Sequence, residues 1–148
     1  MRLEPLYRAR FVYVNEWGVE LGSEEAPDAQ YLFFAEGRCE GGICGSYRGA
    51  NHPRRRSDRT YVPDFHGVIE SEDGATILFE SHGYGRTHPP GRRQVVASVT
   101  HLSADERYRR LNDVVCVAVG EVRVDETKPG GVEIVLDVAE LVWEPIAD

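Results

Sequence analysis

The sequence predicts an all-β chain that closes into a single antiparallel barrel. Three observations carry the prediction. β-rich runs of about six to twelve residues recur along the chain. Glycine and proline, 15 and 8 of them, punctuate those runs. Only one stretch carries a helical start signal.

The runs can be taken in order. Leu6 to Trp17 contains Phe11, Val12, Tyr13 and Val14 and stops at Gly18, and Gln30 to Glu36 contains Tyr31, Leu32, Phe33 and Phe34. Arg38 to Arg48 is interrupted by Gly41, Gly42 and Gly45, which suggest a bulge or barrel corner. Tyr61 to Glu70 and Ala75 to Tyr84 flank Ser71-Glu72-Asp73-Gly74, whose Asp-Gly marks a hairpin. Arg93 to Leu102, Val114 to Val124 and Val132 to Trp143 complete about eight or nine strands. The helix is expected over 103–112. Ser103 and Glu106 form a capping box, and Arg107, Arg109 and Arg110 follow where cations suit the helix dipole. Gly49 to Arg59, with its arginines at 54, 55, 56 and 59, reads as an exposed loop.

Length and composition bound the function. The 148 residues fit one domain, 1–148, large enough to bury about two thirds of its unfolded surface and to leave a modest cavity. With 41% hydrophobic and 28% charged residues the chain is not globally disordered. A net charge of −8 repels phosphate backbones, so no nucleic-acid partner is expected. No apolar run is long enough to span a bilayer, and Met1 to Pro5 lacks a signal-peptide core. A cytoplasmic protein without a membrane partner is therefore expected. Cys39, Cys44 and Cys116 form no CxxC pair and read as buried small hydrophobes.

A set of local patterns resembles a known family. It consists of Gly37-Arg38-Cys39-Glu40-Gly41-Gly42-Ile43-Cys44-Gly45 and an arginine-bearing loop, then Asp64-Phe65-His66, Ser71-Glu72-Asp73-Gly74-Ala75, and Tyr108-Arg109-Arg110-Leu111-Asn112 before a Val-rich strand. In this order they resemble the domain of unknown function 3237 family, a calycin-like barrel family. The resemblance implies an antiparallel barrel open at one end, often in an oligomer, with a homodimer or higher homo-oligomer left open. It implies no established reaction. In that family aspartate is common at the place of Asp64, whereas arginine is frequent at the place of His66, so His66 is a departure.

The candidate chemistry sits on the central hairpin. Residues two apart in a strand share a face, which groups Asp64, His66 and Glu70, and separately Glu80, His82 and Tyr84. Turned inward, Asp64, His66, Glu80 and His82 would form a carboxylate–imidazole cluster suited to acid–base catalysis. Register decides whether the two sets meet. Pairing Ser71 with Thr76 puts them on opposite faces, whereas a three-residue loop with a bulge would shift the pairing by one and set His66 opposite His82. Tyr13, Phe33, Arg38, Tyr84 and Trp143 are expected to hold the substrate. The arginine run is a solvated loop or a lid that meets an acidic or enolate substrate.

Other chemistries lack their signatures. Gly45-Ser46-Tyr47-Arg48-Gly49 misplaces the serine of a nucleophile elbow, and Gly41 to Gly45 lacks the lysine and helix of a phosphate loop. A cupin-like metal set would need Asp64, His66, Glu70 and a distant His101, while His52 and His88 lie in polar loops. No cofactor and no metal are expected. The first expectation is a small-molecule-binding barrel acting as a cofactor-free enzyme for cyclisation, isomerisation or a related rearrangement of a partly apolar metabolite. A lipocalin-like binding protein and a cupin-like metalloenzyme are the alternatives.

Overall fold

The computed structural model describes residues 1–23, 27–87 and 91–148. His88 lies outside the described residues. Ten strands form: β1 (Arg2–Gly22), β2 (Pro27–Gly41), β3 (Gly45–Asn51), β4 (Arg54–Arg55), β5 (Tyr61–Val62), β6 (Asp64–Ser71), β7 (Thr76–Arg86), β8 (Arg92–Leu102), β9 (Val115–Val124) and β10 (Val132–Val142). Eight of them close a ring in the order β1-β10-β9-β8-β7-β6-β3-β2, with β2 returning to β1. Every pairing is antiparallel. The tiny β4–β5 hairpin bridges β2 to β7 at one end of the ring.

Alternation of side chains explains which face turns inward. On β1, Tyr7, Ala9 and Phe11 are buried, and on β7 so are Ile77, Phe79 and Ser81. Their chain neighbours are largely exposed, the period-two pattern of a strand with one dry face. Gly67 on β6 matters here. A Cβ on it would come within 2.3 Å of the Phe79 ring, so the glycine admits the aromatic into the interior.

The expected strand over 38–48 is two strands. β2 ends at Gly41, whose φ of +134° suits only glycine, and Gly42 then donates its N–H to the Leu6 carbonyl. The segment leading into β3 carries Ile43, which is fully buried.

The helix expected over 103–112 is instead a turn followed by a 3-10 segment, Arg109–Asp113. The Ser103 hydroxyl donates to the Thr76 carbonyl and accepts from the Asp105 N–H, two residues on, rather than from the third amide. The Asp105 carboxylate accepts from the Arg107 N–H and its guanidinium, fixing a local turn that competes with helix. Leu111 then drops into the core, 1% exposed. Together, Ile43, Leu111 and the 71–75 turn plug one end of the barrel. The other end, beside the β4–β5 hairpin, stays hollow.

Candidate functional site

The hollow is a cavity of about 340 Å³ at the open end. Its base is an aromatic column: Tyr47 stacks on Phe79 at 4.5 Å and on Phe11 at 5.3 Å, and Phe65 stacks on Phe79 at 5.4 Å. One wall is a second stack, Tyr13 on Phe33 at 4.4 Å and Phe33 on Tyr31 at 5.7 Å. Aliphatic side chains of β8, β9 and β10, including Val95, Val122 and Ile134, also line the hollow. Volume and lining are those of a small-molecule site at the lower end of the usual size range.

A few polar groups reach into this apolar space. The Asn51 Oδ1 accepts the backbone N–H of Asp64 at 3.2 Å, and its Nδ2 donates to the Tyr13 hydroxyl at 3.1 Å. The first bond fixes the amide orientation, and the second makes the Tyr13 oxygen an acceptor. The Tyr13 O–H is therefore left to donate elsewhere. Burial pushes the Tyr13 phenol up to about 12, with the Asn51 bond opposing the rise, so it stays protonated near neutrality. Ser81 lines the same cavity. At the rim stand Glu16, Arg86 and Arg93, and among the described residues none of the three makes an ion pair.

Two of the residues expected to hold substrate, Tyr13 and Phe33, do line the cavity. The others do not. Arg38 sits outside, paired with Glu40 and Glu72. Tyr84 is exposed beneath the Arg56 guanidinium, and Trp143 is 79% exposed. The arginine run is tied to its own neighbours: Arg54 holds Asp28 and Arg56 holds Asp58.

The expected acid–base cluster exists, but on the wrong side of the wall. Ser71 N–H donates to the Ala75 carbonyl, and Gly74 takes a φ of +90°. This three-residue loop slips the register by one in the sense opposite to the expected one, so that Asp64 lies opposite His82 and His66 opposite Glu80 rather than His82. All four meet on one face. That face is the outer one, because Phe65, Ile69, Ile77 and Phe79 fill the inner one. The side chains of Asp64, His66, Glu80 and His82 are 48, 55, 57 and 54% exposed. The cupin-like set does not assemble either. His101 is buried, with Tyr7 at 3.0 Å and Cys116 at 3.8 Å, and Glu70 holds Arg48. Cys39 and Cys116 are buried free thiols, and burial raises both to about 11.

The family described as a protein of unknown function, DUF3237, matches residues 1–141. The chain belongs to the DUF3237 family. No curated protein matches it. Solved structures share the shape of this DUF3237 barrel. A β-barrel-like protein from Acinetobacter baumannii AYE is 21% identical, with a TM-score of 0.75 over 95% of this chain and 96% of that one. A protein of unknown function from Clostridium acetobutylicum is 15% identical, with a TM-score of 0.77 over 96% and 100%. An enzyme from Penicillium herquei is 21% identical, with a TM-score of 0.63 over 93% of each chain. At these identities the likeness shows the fold.

Within this DUF3237 barrel, sequence reading missed Asn51, Ser81, Arg86 and Arg93. A signal for Asn51 was present: it continues the inward alternation of Gly45, Tyr47 and Gly49 on β3. The cavity can grip a flat apolar body, donate a hydrogen bond to one of its oxygens from Tyr13, and meet an anionic group at the rim.

Proposed function

We propose that this barrel binds a small, flat, partly apolar molecule in its open end and, without a cofactor, promotes its cyclisation, isomerisation or a related rearrangement. The observation that carries the reading is the Tyr13–Asn51 pair. It leaves a phenol proton free in a mostly apolar hollow. A donor held in a low-dielectric site stabilises charge that develops on a carbonyl or enol oxygen. The stacked rings restrict the substrate to few conformers, which lowers the barrier of an intramolecular step. Arg86 and Arg93 suit a carboxylate or enolate at the rim. The Penicillium herquei barrel, of similar shape, is an enzyme, which agrees with chemistry in such a fold.

A lipocalin-like binding role is the second reading. It is favoured by one fact: the acid–base cluster lies outside, and among the described residues the only carboxylate lining the cavity is Glu16 at the rim.

Rearrangements conserve mass, which supplies the test. Untagged protein is incubated with a small-metabolite extract and the products are read by mass spectrometry. The enzymatic reading expects one species to decline as an isomer of unchanged mass rises. Tyr13→Phe should slow that conversion by about a hundredfold. Ligand retention without any isobaric conversion would establish the binding role instead.

A further inference from the structure

We propose that the outer wall of the barrel carries a second site, separate from the cavity, where Asp64, His66 and His82 bind a divalent transition-metal ion. The pairing of β6 with β7 creates it, because Asp64 faces His82 and His66 faces Glu80 across the strands. His66 Nε2 lies 2.8 Å from Asp64 Oδ1, and His82 Nδ1 lies 3.5 Å from the same oxygen. One donor atom from each of the three residues falls within 4.8 Å of the other two. A tetrahedral ion with bonds of about 2.0–2.1 Å has ligand atoms about 3.3 Å apart. Small rotations of these exposed side chains therefore complete the geometry.

The rest of the setting fits a cation. The other two ring nitrogens, His66 Nδ1 and His82 Nε2, face the two oxygens of Glu80 at 3.5 and 3.8 Å. A carboxylate behind a ligating imidazole orients the ring and raises its basicity. The flanking outer positions are Ala50 beside His66, Ser98 beside His82, Thr100 beside Glu80 and, beside Asp64, the exposed His52, whose N–H donates to the Asp64 carbonyl at 2.9 Å. The first three are small and uncharged and leave room for water on the ion, and His52 adds a further imidazole next to it. Two imidazoles with a carboxylate suit zinc, copper or nickel better than magnesium or calcium. Phe65 and Ser81, which alternate with the ligands, line the cavity, so a bound ion would clamp the wall that the cavity uses.

The test uses the untagged full chain after chelator treatment. Calorimetry with Zn²⁺ should show one equivalent bound. Electron paramagnetic resonance with Cu²⁺ should show coupling to two imidazole nitrogens. His66→Asn and His82→Asn should each weaken Zn²⁺ binding by about a hundredfold, Glu80→Gln by about tenfold, and the exposed, remote Glu106→Gln not at all. Absence of saturable Zn²⁺ binding, unchanged affinity in both histidine variants, or a Cu²⁺ spectrum without nitrogen coupling would overturn the proposal. The spectrum is read on the wild-type protein and so does not depend on any variant folding.

Discussion

Acid should destabilise this barrel through one buried histidine. His101 is 3% exposed at the plugged end of the interior. Its Nε2 lies 3.0 Å from the buried Tyr7 hydroxyl and its Nδ1 3.8 Å from the Cys116 sulfur. Desolvation holds its pKa down at about 4, with the nearby Glu140 charge opposing the drop. An unfolded histidine titrates near 6.5. Because the folded value is the lower one, the unfolded chain binds the proton first. The neutral ring's full contribution is present above about pH 6.5 and declines as pH falls toward 4. The gap between about 6.5 unfolded and about 4 folded corresponds to about 3 kcal/mol. That is a large part of a typical domain's stability. The depressed carboxylates Asp58 and Asp105, each about 2 and held there by arginine hydrogen bonds, lose their contribution only at lower pH. The assay is urea unfolding at pH 7.0, 6.0, 5.0 and 4.5, followed by far-ultraviolet circular dichroism. The wild type should lose most of that 3 kcal/mol across the series, and His101→Gln should show a shallow slope. A flat wild-type series, or an undiminished slope in His101→Gln, would show that His101 does not set the acid sensitivity.

Other predictions follow from packing and charge. A Cβ on Gly37 would sit 1.9 Å from the Arg10 carbonyl oxygen and 2.6 Å from Phe11 Cα, both backbone atoms of the paired strand. Gly37→Ala should therefore cost about 3 kcal/mol in chemical denaturation. Gly74→Ala meets nothing within 4 Å and should cost only about 1 kcal/mol, from its positive φ. Arg110 grips the nearly buried Glu140 with two bonds of 2.6 and 3.1 Å. Arg110→Ala should lower stability by about 1–2 kcal/mol, less than for a fully buried pair because the arginine is largely exposed. At the rim, replacing both Arg86 and Arg93 by Gln should weaken binding of 2-naphthoate about tenfold while sparing neutral 2-naphthamide, as read by calorimetry at low salt.

Much of the barrel was legible because its physics is local. Tyr7, Ala9 and Phe11 alternate inward on β1, and the Asp73-Gly74 turn announces the β6–β7 hairpin. What escaped depended on single hydrogen bonds. Ser71 pairing with Ala75 rather than Thr76 decides the register, and that choice moves Asp64 and His66 together with Glu80 and His82 to the outer wall. Ser103 looked like a helix cap, yet donation of its hydroxyl proton to the Thr76 carbonyl of a distant strand orients the oxygen toward the Asp105 N–H instead of the third amide. Competition of that kind is invisible to local pattern. The cavity was half legible: Tyr13 and Phe33 lie on the expected face, while the role of Asn51 depends on the Asp64 amide that fixes it.

The most direct check on the account is a methyl-resolved NMR titration with 2-naphthoate. If the open end is the binding site, methyls of Val95, Val122, Val132 and Ile134 shift together and saturably, while Ile43, Ile69 and Ile77 at the plugged end stay still. Shifts confined to outer-wall residues such as Val68 and Leu78, or no saturable shifts at all, would contradict it.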